Sequence, residues 1–482
     1  MNDIDRRLQD TGRAFLAAAW TRLQEERVVP PPTFHPYLEV GRDYFGNSVM
    51  PLSEYRALEE TIAASHPRFD AGRPLHEREF PGGLVFSFLE TFIARLTRAQ
   101  EDFSPDGPAA EQALRDLIQA VHADTYEVAC CRVVSHMTTA DGKPVEFTNI
   151  RVEPVISQAA DHDKELQRII STVIPGAASA YGRDRPHGFA PPESVIIAQD
   201  SGAKPFDLAK PLSQRIERFM LLVRLLKPST SESMAEIQGA THTVREFKPT
   251  VLRFRGAGPG FGSPTQLAAR VITLSSDDVS RVDGLGRLLA AAEQPRTGMA
   301  FTSFGMALQK FLLSFHAYGW SEQIVDLATA FEAALSGKEK TDVTLRLKIR
   351  ASTLLSTAVD PTEQIFNDVG VIYGLRSTLV HGGAMTEKAL LKEVRKISTV
   401  PDGIPDGLAI AHAVERLRDL VRRSLLARIC LAADDAPLWL LDADTGVDAA
   451  MVDDLRRKTW REAWRDTLNS IDALASADPP LA

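Results

Sequence analysis

Cysteine is scarce in this chain. Three occur in 482 residues, and two are adjacent, as Cys130-Cys131. Three cysteines cannot build a disulfide framework, and without a C-x-x-C pair they carry no zinc signature. Long apolar runs are missing as well. No stretch approaches the about 20 uncharged apolar residues that a membrane-crossing helix needs. The opening segment, MNDIDRRLQDTGRAFLAAAW, mixes charges with apolar residues at helical spacing and has no signal-peptide pattern. A reducing, cytoplasmic setting without membrane contact is the expectation. Positive charge is in deficit: 55 Lys and Arg against 64 Asp and Glu leave a net charge of −9. That balance argues against broad coating of nucleic acid, although it permits a local basic site. Internal repeats and low-complexity tracts are also lacking.

What is present is ordinary globular composition, 44% hydrophobic and 25% charged, with length for roughly two to four domains. Two regimes follow one another along the chain. Residues 1–280 mix signals. Helical spacing marks 3–26, 53–65, 84–101, 109–123, 161–173 and 207–227. The run TYEVACCRVVSHMTT, the turn ADGK and the run PVEFTNIRVEPV read as two strands around an Asp-Gly turn. SVIIA, TVLRFRG and ARVITLS are further strand candidates, the last two flanking the glycine-rich GAGPGFGSP. Residues 281–482 read as almost wholly helical, over 298–318, 321–336, 341–358, 362–381 and 407–432, with a tail helix near 449–473. Asp360-Pro361 breaks the chain before the fourth of these, and Pro401, Gly403, Pro405 and Gly407 before the fifth. The expected class is α+β overall: a mixed α/β N-terminal region, then an all-α bundle.

One stretch departs from ordinary helix sequence: VIYGLRSTLVHGGA, residues 371–384. Ile365, Val369, Ile372 and Leu379 fall on one face of a 3.6-residue helix, and Arg376 lies on that same stripe. A guanidinium inside an apolar stripe must find a partner, because an unpaired buried charge is very costly. It therefore faces an acid, a ligand anion or a cleft. His381 follows five residues on, about 140° around the helix. The two converge by reach or by unwinding, for which Gly382-Gly383 is suited. An imidazole can take or give a proton near neutrality, and a guanidinium holds phosphate with paired, charge-assisted hydrogen bonds. Together they suit RNA cleavage by the 2′-hydroxyl, with the cation stabilising the growing charge and no metal or other cofactor required. One histidine per chain is too few for both acid and base, so a symmetric dimer is expected to bring two copies together.

The segment IYGLRSTLVHGG resembles the R-x4-6-H motif of the HEPN superfamily, in particular its ApeA-like branch. FEAALSGKEKTDVTLRLKIRASTLL resembles the segment before that motif, and AHAVERLRDLVRRSLLARICLA the closing helix. The resemblance covers roughly residues 285–435. It implies a HEPN-type bundle in which Arg376 and His381 are the ribonuclease pair, with Ser377 and Tyr373 as candidates for substrate contact. It also implies an RNA-cleaving toxin or anti-phage effector, controlled by a phage-derived trigger or an antitoxin. Many active HEPN nucleases carry Asn, Asp or His after the arginine; here Ser377 stands there, as it often does in the ApeA-like branch.

Blander readings compete. Arg376 would pair with an acid such as Asp368, and His381 would sit at a helix end favoured by the dipole. Tyr373 would pack in the core. Arg346, Lys348 and Arg350 form either a basic patch for phosphates or a solvated face. FRGAGPGFGS lacks the P-loop lysine and fails strict G-x-G-x-x-G spacing, so it reads as a loop. DHDKE, 161–165, reads as a helix N-terminus and not a metal cluster. The rival functional class is a HEPN bundle without catalysis, serving dimerisation or nucleotide binding; Ser377 and the acidic balance favour it.

Overall fold

The computed structural model describes residues 2–25, 48–69, 81–99, 104–156, 162–174, 193–202, 205–240, 270–293, 302–317, 319–336, 342–381, 386–433, 437–441 and 447–478. It is an α+β protein. The glycine-rich segment and TVLRFRG lie outside the described residues.

Among the described residues four α-helices come first: α1 (Asp3–Glu25), α2 (Ser53–Ser65), α3 (Pro81–Ala99) and α4 (Pro108–His122). Their apolar stripes enclose a core of their own. Leu8, Phe15 and Leu23 of α1 meet Ile62 of α2, Phe88 of α3 and Leu114 of α4. At Gly12 a Cβ would stand 2.6 Å from Leu114, so glycine is what lets α1 and α4 approach.

Next comes a five-stranded antiparallel sheet built from β1 (Tyr126–Ser135), β3 (Val145–Phe147), β4 (Ile150–Pro154), β5 (Ser194–Gly202) and β6 (Glu232–Ala240), in the order β3-β4-β5-β1-β6. β1 alternates cleanly. Val128, Cys130 and Val134 face one core, while Ala129, Cys131 and Val133 face another. Helix α5 (His162–Val173) covers the second face with Leu166, Ile169 and Ile170. Helix α6 (Pro205–Leu226) covers the first with Ile216, Phe219 and Val223. Burial drives both Cys130 and Cys131 thiols upward, Cys131 to about 12, so neither is a reactive thiolate.

The Asp-Gly turn forms differently from expectation. Gly142 has φ +61°, and its N–H donates to the Thr139 carbonyl at 3.3 Å. Its flanks do not pair with each other. The short strand β2 (Met137–Thr139) instead runs parallel to β7 (Ile272–Leu274). The hairpin is β3–β4, turning through Thr148-Asn149, with Phe147 opposite Ile150 and Asn149 at φ +62°.

The remainder is helical: α7 (Asp277–Glu293), α8 (Ser303–Ser314), α9 (Trp320–Leu335), α10 (Val343–Leu355), α11 (Thr362–Val380), α12 (Glu387–Val394), α13 (Asp406–Ala432), α14 (Val447–Val452), α15 (Asp454–Ser470) and α16 (Leu474–Ala477). The expected tail helix near 449–473 is thus two pieces, α14 and α15, with the short α16 following. Helix α13 is buried on every side from Ala413 to Ala432. It carries five arginines into the interior, and each has partners. Arg416 meets Asp360 at 2.8 Å and Asp368 at 2.9 Å, Arg422 meets Asp419 at 2.6 Å, and Arg423 meets Asp360 at 2.8 Å. Arg418 meets Glu415, and Arg428 donates to the carbonyls of Ala334 and Leu440. Such pairing is what allows guanidiniums inside a core. One apolar core runs without a break from the inner face of the sheet, through α6 and α7, into the bundle.

Candidate functional site

Helix α11 begins just beyond Pro361 and buries Ile365, Val369 and Ile372. The stripe then climbs to the surface, where Leu379 is only partly covered. Arg376 sits where that transition occurs, its side chain 23% exposed. Its partner is Glu332, near the end of α9. One carboxylate oxygen of Glu332 accepts a 2.8 Å hydrogen bond from the Tyr373 hydroxyl. The same oxygen lies 3.7 Å from Nη2 of Arg376. The guanidinium carbon stands 5.5 Å from the centroid of the Tyr373 ring. Glu332 therefore gathers Tyr373 and Arg376 at one corner. Nε of Arg376 is buried and has no hydrogen-bond partner among the described residues. Burial, with the Glu332 carboxylate, pushes the Tyr373 phenol up to about 12, so it remains a neutral donor.

His381 caps α11. Its backbone N–H donates to the Ser377 carbonyl at 3.1 Å, and its side chain is exposed. Among the described residues the imidazole forms no hydrogen bond or ion pair. Ser377 is half-buried one turn earlier. The helix ends at Val380 as expected, while Gly382-Gly383 lie outside the described residues. Among the described residues no hydrogen bond joins Arg376 to His381 within one chain, and Arg376 turns to Glu332 instead. Beside the end of α11, Leu379 forms part of the wall of an open groove of about 500 Å3. Its other walls include His316, Ser321, Glu322 and Asp326 from α9 and the turn before it.

Two expectations are corrected. Asp368 is not the acid beside Arg376. It is 1% exposed, binds Arg416, and accepts hydrogen bonds from the N–H and hydroxyl of Ser398. A reading confined to α11 misses Glu332 because Glu332 arrives from another helix, α9. Nor do Arg346, Lys348 and Arg350 form a solvated face. Arg350 is 1% exposed and meets Asp448 at 2.8 Å, Arg346 approaches the same carboxylate at 3.5 Å, and Lys348 lies 3.9 Å over the Phe366 ring. No group of three His, Cys, Asp or Glu that could hold a metal exists among the described residues. No helix among them is long and apolar enough to cross a membrane.

Comparison with protein-family models, with curated proteins and with solved structures finds no match to this chain.

Proposed function

We propose that the chain is a metal-independent endoribonuclease of the HEPN type, acting as an anti-phage effector or toxin. The observation that carries this reading is the state of Arg376. It is a half-buried guanidinium on an apolar stripe, held by a single carboxylate at 3.7 Å and not by a close bidentate pair. A phosphate can replace so loose a partner, and it would gain two charge-assisted hydrogen bonds. His381, exposed at the end of the same helix, supplies the proton chemistry.

In the proposed reaction one imidazole takes the proton of a ribose 2′-hydroxyl. The 2′-oxygen attacks the adjacent phosphorus, and the bond to the 5′-oxygen breaks. A second imidazole, from the other subunit, gives a proton to that leaving oxygen. The products are a 2′,3′-cyclic phosphate and a 5′-hydroxyl. Arg376 holds the non-bridging oxygens as their charge grows. Two subunits are needed because each provides one imidazole. Ser377 and Tyr373 line the approach, and residues 1–280 would sense the trigger or restrain residues 281–482.

A second reading has its own support. Among the described residues no hydrogen bond joins Arg376 to His381 within one chain, and Ser377 replaces the Asn, Asp or His of many active HEPN nucleases. A bundle retained for dimerisation or nucleotide binding would look the same. Purified protein incubated with total RNA in EDTA separates the two. Fragments ending in 2′,3′-cyclic phosphate support the nuclease; RNA left intact under all activating conditions supports the binding module.

A further inference from the structure

Away from the end of α11, a small, partly enclosed cavity lies between α6, α8 and α13. Three guanidiniums line it, those of Arg224, Arg418 and Arg422, together with the carboxylates of Glu415 and Asp419. All five residues are at most 5% exposed. Two of the cations are matched: Glu415 binds Arg418, and Asp419 binds Arg422 at 2.6 Å. Arg224 is not. Its Nη2 donates to the Ser231 carbonyl at 2.7 Å, and its Nε lies 3.4 Å from the Ser231 hydroxyl. Its guanidinium stacks on Phe315 at 4.0 Å, a ring that Arg418 also covers at 4.6 Å.

Three nitrogens on this wall, Nη1 of Arg224, Nε of Arg418 and Nε of Arg422, are buried without a hydrogen-bond partner among the described residues, as is one acceptor, Oδ2 of Asp419, which faces Nη1 of Arg423 at 3.6 Å. A buried donor left unmatched is costly, and a buried cation left unmatched far more so. The free space, about 10 Å3, has room for one water-sized particle. A phosphate or a nucleotide cannot enter. Two like charges on one aromatic ring, with one positive charge in excess on the wall, select for a negative occupant.

We propose that this cavity holds a single monatomic anion, a chloride or bromide, bound chiefly by Arg224 and serving to join α6 to α13. The local field agrees with it. Burial, with Arg132 and Arg418 acting against Glu217, pulls the Arg224 guanidinium down to about 9, a strain that an anion would relieve.

The test is the unfolding midpoint of the full chain at fixed ionic strength, with sodium gluconate progressively replaced by sodium chloride or bromide. The expected result is an upward, saturable shift with either halide, lost in Arg224→Met. Equal midpoints in gluconate and halide, or a halide shift unchanged in that variant, overturn the proposal. Crystals of the unaltered protein grown in bromide give a reading that does not depend on the variant folding. An anomalous peak within hydrogen-bond distance of Arg224 Nη1 is expected, and ordered water there without an anomalous signal overturns the site.

Discussion

Glu332 binds Tyr373 closely, at 2.8 Å, and Arg376 loosely, at 3.7 Å. The shorter is a hydrogen bond that fixes the phenol; the longer is the contact that the proposed function has a phosphate replace. Tyr373→Phe removes one neutral-to-charged hydrogen bond, so it is expected to cost about 1.5–3 kcal/mol in denaturant unfolding while leaving the guanidinium in place. Arg376→Lys keeps the charge and loses the fork; an RNA-cleavage assay is expected to fall by about 100-fold or more. A lysine variant as active as the parent would remove Arg376 from the reaction. The phenol also predicts a pH effect. A folded-state value of about 12 lies above the ordinary tyrosine range. Folding therefore favours the protonated form. The Tyr373 contribution is complete below about pH 10 and is lost as pH rises toward about 12, a loss that Tyr373→Phe should abolish. At this scale the placement of Arg376 on the apolar stripe and of His381 at the end of α11 was legible, because both are local signals along one helix. Glu332 was not, since no spacing along α11 points to α9.

Among the elements, α13 shows how charge can be carried through a core. Asp360, 2% exposed, accepts from Arg416 and Arg423. Burial alone would raise its carboxyl, but the two guanidiniums outweigh burial and hold it below the usual carboxylate range. Its stabilisation is therefore complete above about pH 4 and is lost as pH falls through the depressed folded-state value. Asp360→Ala leaves two buried cations short of a partner and is expected to cost about 3–5 kcal/mol at neutral pH, with a flatter acid limb in urea titrations. Helix α7 tells the opposite story about legibility. No helix over 277–293 is among those expected from the sequence, yet α7 forms there and runs through both Gly284 and Gly286. A Cβ at Gly284 would stand 2.9 Å from Ile471, so the glycine marks close packing against the chain following α15. Gly284→Val is expected to lower stability by about 1–3 kcal/mol through that overlap, and a thermal melt unchanged from the parent would refute the contact. Strand β6 was missed for a related reason. SESMAEIQGA is poor in β-branched residues, and its pairing with β1 supplies what its propensity lacks.

For the molecule as a whole, the expected change of regime near residue 281 falls inside α7, a few residues after β7, the last strand among the described residues, and the apolar core is continuous there. The α+β class was legible because strand and helix periods are local properties. Association between two copies is not a local property, and a single chain carries one Arg376 and one His381. The proposed composite site makes specific activity rise with protein concentration, then level off as the dimer saturates. Cleavage per chain that stays constant down to concentrations where light scattering shows monomers would rule out a shared cleft. The most direct measurement compares the unaltered protein with His381→Ala on RNA in EDTA, reading both the amount and the end chemistry of the fragments. The expected outcome is 2′,3′-cyclic phosphate ends from the unaltered protein and none from a variant with the same circular dichroism and melting point. Equal cleavage by the two proteins would contradict the assignment of His381.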